Sequence, residues 1–140
     1  WLDITGTDQS GSGSVWCIKI TPSATSSKIL VRATVSPHGS ANDQSYTRFA
    51  RDSTAIGIAD AAGSRPRAGA QSYRANDATG NACIMEHLDS PSSTSELTYK
   101  VQLYTYSSDT TYINRRTDDR DGSGYDARFV CTITAMEVGA

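Results

Sequence analysis

Few side chains in this sequence are of the types that transform a substrate, and their spacing assembles no known catalytic set. His38 sits in a Pro-His-Gly turn and His87 lies between Glu86 and Leu88-Asp89. Serines abound, but no Gly-x-Ser-x-Gly elbow presents one as a nucleophile, so both histidines read as turn and strand-end residues. Two carboxylates flanking a sugar could cleave a glycosidic bond. The candidates are Glu86 with Asp89, or the group Asp118, Asp119 and Asp121; both read more simply as strand-end caps and solvated turns. Thr117 to Gly122 half resembles a calcium loop. Thr117 stands at the first ligand position and Arg128 at the twelfth, where the helical-hand loop needs Glu, which excludes that loop. An irregular Ca²⁺ site would have to come from Asp119, Asp121 and backbone carbonyls. The plain reading is an acidic, Gly-rich turn. No metal, no cofactor and no enzymatic activity are expected.

Cys17, Cys83 and Cys131 are odd in number, far apart and never in a Cys-x-x-Cys pair, which argues against a zinc site and a disulfide framework. They are expected to serve as small buried hydrophobes. The aromatic residues are mostly tyrosine, with 7 Tyr against 2 Trp and 2 Phe. Tyr99, Tyr104, Tyr106 and Tyr112 fall in two neighbouring strand-like runs. Alternation separates Tyr99 from Tyr104 and Tyr106, leaving Tyr104 and Tyr106 as candidate surface contacts for a sugar ring or a partner.

The elements that must carry these residues are short runs of period-two alternation. From Val15 to Thr21, Trp16, Ile18 and Ile20 oppose Cys17 and Lys19; from Lys28 to Ser36, Ile29, Val31, Ala33 and Val35 oppose Leu30, Arg32 and Thr34. Successive strand side chains point to opposite faces, so both runs read as strands lining one core. Tyr46–Arg51 and Ala55–Ile58 predict a hairpin with Asp52 and Ser53 at its tip. Further strands are expected at Ala82–Leu88, Leu97–Tyr106, Thr111–Asn114 and Ala127–Val138. Residues 1–14 form a flexible lead-in or an N-terminal strand, and 15–140 a single domain. The stretch from Ala59 to Asn81 is too long for a structureless loop in a small domain, so a strand is expected within Arg65–Arg74. The predicted core is Trp16, Ile18, Ile20, Ile29, Val31, Val35, Val101, Leu103, Phe129 and Ile133. Several short strands and no helical spacing argue for an all-β sandwich or barrel.

Composition agrees. The chain has 140 residues, and 35 of them are Ser or Thr (19 and 16), which suit turns and half-wet sheets. The length fits one domain of roughly 100–150 residues. A net charge of −2, from 13 basic and 15 acidic residues, lacks the basic stripe that nucleic acid requires. No run approaches the roughly 20 apolar residues of a membrane-spanning helix, so no membrane insertion is expected. The opening at Trp1, without a charged-then-apolar leader, reads as a processed product or a piece of a longer polypeptide.

An ordered set of segments adds a resemblance. It begins with Ile20-Thr21-Pro22 and Ser26-Ser27-Lys28-Ile29-Leu30-Val31, then Phe49-Ala50-Arg51-Asp52 with Ile56-Gly57. Leu88-Asp89-Ser90-Pro91 and Thr98-Tyr99-Lys100-Val101 follow, then Ile113-Asn114-Arg115 and a closing Thr132-Ile133-Thr134-Ala135-Met136-Glu137-Val138. Together, from about Trp16 to Val138, they resemble a domain common at the C-terminal ends of phage tail-fibre and other virion appendage proteins, especially of aquatic phages. Cys83-Ile84-Met85 departs from the more regular aromatic strand expected before Glu86-His87-Leu88. The resemblance implies an antiparallel, jelly-roll-like β-sandwich, assembled as a homotrimeric knob that attaches a virion to its host without catalysis. It also implies location in the virion, extracellular when acting, with itself, other virion proteins and a host-surface glycan or protein as partners. It supplies no fixed binding motif. A possible subunit interface lies at Arg65, Arg67 and Arg74, among the small residues Ala68, Gly69 and Ala70, with Asp60, Asp77 or the turn from Asp118 to Asp121 as partners. Two other readings are a capsid decoration or head-fibre protein, and a carbohydrate-binding module of a secreted protein served by Tyr104, Tyr106, Trp1 or Trp16.

Overall fold

The computed structural model of the chain describes residues 1–7, 13–39, 44–74, 81–106, 110–122, 124 and 126–139. The alternating runs become strands, and no helix forms among the described residues. The first four are short: β1 (Leu2–Asp3), β2 (Thr5–Thr7), β3 (Gly13–Val15) and β4 (Cys17–Ile20). Next come β5 (Lys28–Val35), β6 (Pro37–His38), β7 (Gln44–Arg51), β8 (Thr54–Ile56) and β9 (Ala70–Tyr73). The chain closes with β10 (Cys83–Asp89), β11 (Leu97–Thr105), β12 (Tyr112–Ile113) and β13 (Thr132–Val138).

Two antiparallel sheets pack face to face as a sandwich. In the larger, β11 pairs with β7 from Tyr99 to Thr105. The outer edge of β11 carries β1 and β4 end to end, and the outer edge of β7 carries β8 and β9 likewise. The smaller sheet has β5 between β10 and β13. Two small ladders, β2 with β3 and β6 with β12, complete the pairing. The tight β7–β8 turn places Asp52 at φ 52°, a left-handed conformation that Asp tolerates better than most residues.

The core lies between the sheets. Ile29, Val31, Ala33 and Val35 of β5 meet Phe49, Leu97, Tyr99 and Val101 of the larger sheet, with Met85, Ile56 and Ile4 closing the sides. Each fully buried aliphatic side chain contributes about 1.5–3 kcal/mol relative to exposure. Of the predicted core, Ile29, Val31, Val35 and Val101 are fully buried, whereas Trp16, Ile18, Ile20, Leu103 and Ile133 are partly buried against it. Phe129 is a correction. It is 41% exposed, because the closing strand starts only at Thr132. Its ring instead stacks on His38, with centroids 5.3 Å apart, while its N–H donates to the Asn114 carbonyl.

The expected strand within Arg65–Arg74 is β9, and its small residues have an internal use. Gly69 donates its N–H to the Thr47 carbonyl at 2.8 Å, and a Cβ there would stand 3.0 Å from the Gly57 carbonyl oxygen and 3.1 Å from Met85 Sδ. The close approach is to the chain's own sheet. At the N-terminus, β1, β2 and β3 take up half of the segment 1–14 read as a flexible lead-in or an N-terminal strand, and residues 8–12 lie outside the described residues.

Candidate ligand-binding face

Strand alternation that sends Phe49, Tyr99 and Val101 inward must send their neighbours outward. On the outer face of the larger sheet, β7 presents Gln44, Tyr46 and Arg48, β11 presents Lys100, Gln102 and Tyr104, β9 presents Gln71 and Tyr73, and the N-terminus presents Trp1 and Asp3. Register lines these up across the sheet: Tyr104 is opposite Tyr46, Tyr46 is opposite Gln71, and Gln102 lies between Asp3 and Arg48. The result is a row of rings. Tyr104 stands 5.8 Å from Trp1 and 5.9 Å from Tyr46, centroid to centroid, each pair tilted. One register step beyond, Tyr73 is 47% exposed opposite Gln44, and Tyr106, past the end of β11, is 79% exposed.

Polar groups border the rings. Lys100 Nζ donates to Asp3 Oδ2 at 2.7 Å, Gln102 Nε2 donates to Asp3 Oδ1 at 2.8 Å, and Arg48 Nε donates to Gln102 Oε1 at 2.9 Å. The bonds from Lys100 and then Gln102 hold the Asp3 carboxyl below its ordinary pKa. Arg48 reaches across the sheet and sets its guanidinium 4.3 Å from the centroid of the Trp1 ring. At the other side of the row, the Tyr46 hydroxyl and Gln71 Nε2 both donate to Gln44 Oε1. An open cleft of about 580 Å³ lies beside β1, lined by residues that include Trp1, Leu2, Tyr104, Thr105, Thr111 and Ile113.

This arrangement is suited to binding. Rings side by side take the C–H face of a sugar or a flat apolar surface, and adjoining amide, carboxylate and guanidinium groups fix its hydroxyls. The predicted contacts Tyr104 and Tyr106 therefore do lie toward one end of one sheet, and Trp1 joins them. Trp16 does not: it packs against the core, its N–H bonded to the Ile4 carbonyl at 2.8 Å. Tyr112 also stands apart, on the strand paired with β6, under the guanidinium of Arg115 at 4.0 Å. Tyr46, Arg48, Gln102 and Tyr73 were not singled out in the sequence. The Gln44-Tyr46-Arg48 alternation carries the signal, but only the register reveals that it adjoins Tyr104.

The other candidates fall elsewhere. Arg65 and Arg67 are exposed, and Arg67 Nε donates to the Ala59 carbonyl at 2.7 Å. Arg74 is a correction: it is fully buried within the chain, donating to Ser45 Oγ at 3.1 Å, so it is not open to a second subunit. Asp77, one of the carboxylates offered as partners for the seam, lies outside the described residues. Glu86 and Asp89 face opposite sides of β10 and cannot act together. Glu86 pairs with Arg32 at 2.8 Å on the surface, whereas Asp89 is buried and holds Arg51 and the Tyr99 hydroxyl. In the acidic turn, Asp118 meets Arg116 and Arg120, Asp119 meets Arg115 and Arg128, and Asp126 meets Arg116 and Arg120. These carboxylates are each ion-paired to arginine. Cys83 is buried, Cys17 and Cys131 are partly so, and all three are free thiols. Burial pushes the Cys83 and Cys131 thiols up, away from reactivity.

A scan of protein-family models finds no match to this sequence, and a search of curated proteins finds none.

Proposed function

We propose that this chain is a non-enzymatic receptor-binding domain of a virion appendage, of tail-fibre type, that attaches the particle to a glycan on the host surface. The observation that carries the binding role is the ring row Trp1–Tyr104–Tyr46 with its polar border on an open sheet face. The appendage role rests on the ordered segments that resemble such domains, and the antiparallel sandwich is compatible with the jelly-roll-like knob they imply. In the same reading the domain is a homotrimer, and the exposed Arg65 and Arg67 are the residues available for its seam.

The ring row also favours a second reading, a carbohydrate-binding module of a secreted protein, since such a module needs the same face. Location separates the two. Gold-labelled antibody against the domain should decorate the fibre tips of intact particles, and the purified domain should bind host cells unless Tyr104 is replaced by Ala. Label on the capsid shell would favour a decoration protein instead. Binding of Tyr104→Ala equal to that of the unmodified domain would refute the role of the face.

A further inference from the structure

At the ring end of this face, one charge has no counter-charge among the described residues. Lys100 is matched by Asp3, but Arg48 meets no carboxylate among the described residues. Its Nε–H is held by Gln102 Oε1, and its terminal nitrogens make no hydrogen bond there. The guanidinium lies against the Trp1 ring, where partial burial lowers its pKa and no neighbouring anion restores it. Arginine's planar fork is shaped for a carboxylate, and a cation already stripped of part of its water loses less on taking one up.

Resting on the binding role proposed above, we propose that the ligand of the Trp1–Tyr104–Tyr46 face is an acidic polysaccharide whose uronic-type carboxylate is received by Arg48. A carboxylated pyranose has both features the face calls for: a C–H surface to lie on the rings, and an anion projecting from its edge. A neutral glycan would leave the terminal N–H groups of Arg48 covered and unanswered, which costs free energy. A nucleic acid brings a charge with every nucleotide, for which one cation is too few. The whole chain carries −2, so a polyanion is not drawn to it by net charge, and retention must come from a local site.

Affinity electrophoresis tests this with polygalacturonate or a neutral glucan in the gel, at about physiological salt so that long-range attraction is screened. Polygalacturonate should retard the unmodified domain and the glucan should not. Tyr104→Ala and Arg48→Gln should each weaken retention by about tenfold, the loss of one stacking contact or one charge-assisted pair. Both variants should melt close to the unmodified protein, since neither residue belongs to the core. Retention of Arg48→Gln equal to that of the unmodified domain, equal retention by both polysaccharides, or no retention by polygalacturonate would each overturn the proposal. Host-cell binding by the same variants isolates the broader reading. If Tyr104→Ala loses cell binding while polygalacturonate has no effect, the face is a receptor site and only the acidic ligand is wrong.

Discussion

Replacing Asp89 by Asn should be among the most damaging conservative changes in the molecule. Asp89 is 5% exposed at the end of β10, and its carboxylate reaches across the sandwich to the larger sheet. Arg51 Nη1 donates to its two oxygens at 2.8 and 2.7 Å, and the Tyr99 hydroxyl donates to Oδ2 at 2.7 Å. Burial alone would lower the Arg51 pKa, yet the bonds and charge of Asp89 raise it overall, while burial and then Asp89 push the Tyr99 hydroxyl well up. Asn removes the charge and leaves one amide oxygen where two carboxylate oxygens accepted, with its N–H₂ set against the donor-only guanidinium of Arg51 or the Tyr99 hydroxyl. Breaking a buried pair by removing one partner costs about 3–5 kcal/mol. Because the Arg51 side chain keeps 23% exposure and can regain some water, the lower end, about 3 kcal/mol, is expected. Unfolding entropy for 140 residues is about 0.3 kcal/mol per kelvin, so the melting temperature should fall by about 10 °C. Calorimetry measures it, and Arg51→Gln completes a double-mutant cycle. A fall of less than about 3 °C, or strictly additive costs for the two changes, would refute the claim that this pair ties the sheets together.

His38 is buried, and burial first, then the charges of Arg74 and Arg116, lower its pKa against the opposing bond to the Ser36 carbonyl. The unfolded state therefore binds the proton first, so this contribution is full above about pH 6.5 and is lost as pH falls toward the folded pKa. Melting curves should show a steeper loss from about pH 7 to 5 for the unmodified protein than for His38→Gln; equal slopes would contradict it. Ile29→Ala should cost about 2–5 kcal/mol by denaturant unfolding, and Ile133→Ala distinctly less because Ile133 is only partly buried. A chelator should leave the melting temperature unchanged within about 1 °C, because arginines already answer Asp118, Asp119 and Asp126; a larger fall would reveal a structural cation. Light scattering of the purified domain should report a trimer, and a monomer at micromolar concentration would remove the proposed Arg65 and Arg67 seam.

The sequence by itself determined the all-β class and most strand positions. Alternation is a local property: Ile29, Val31, Ala33 and Val35 share a face whatever lies opposite, and burial selects that face as the core. The β7–β8 hairpin was equally legible, because its turn is set by four neighbouring residues. Phe129 misled because it follows the same alternation as the closing strand, yet pairing stops at Thr132 and the ring finds His38 instead. The candidate face could not be read along the chain. Its rings come from residues 1, 46 and 104, and no local rule predicts that β7 and β1 will flank β11 in the register that brings them together. Arg74 shows the same limit, since a charged residue reads as surface until Ser45 and the Pro37 carbonyl are placed around it. Strand identity follows from short-range sterics and the hydrophobic period, whereas which side chains become neighbours is decided by long-range pairing.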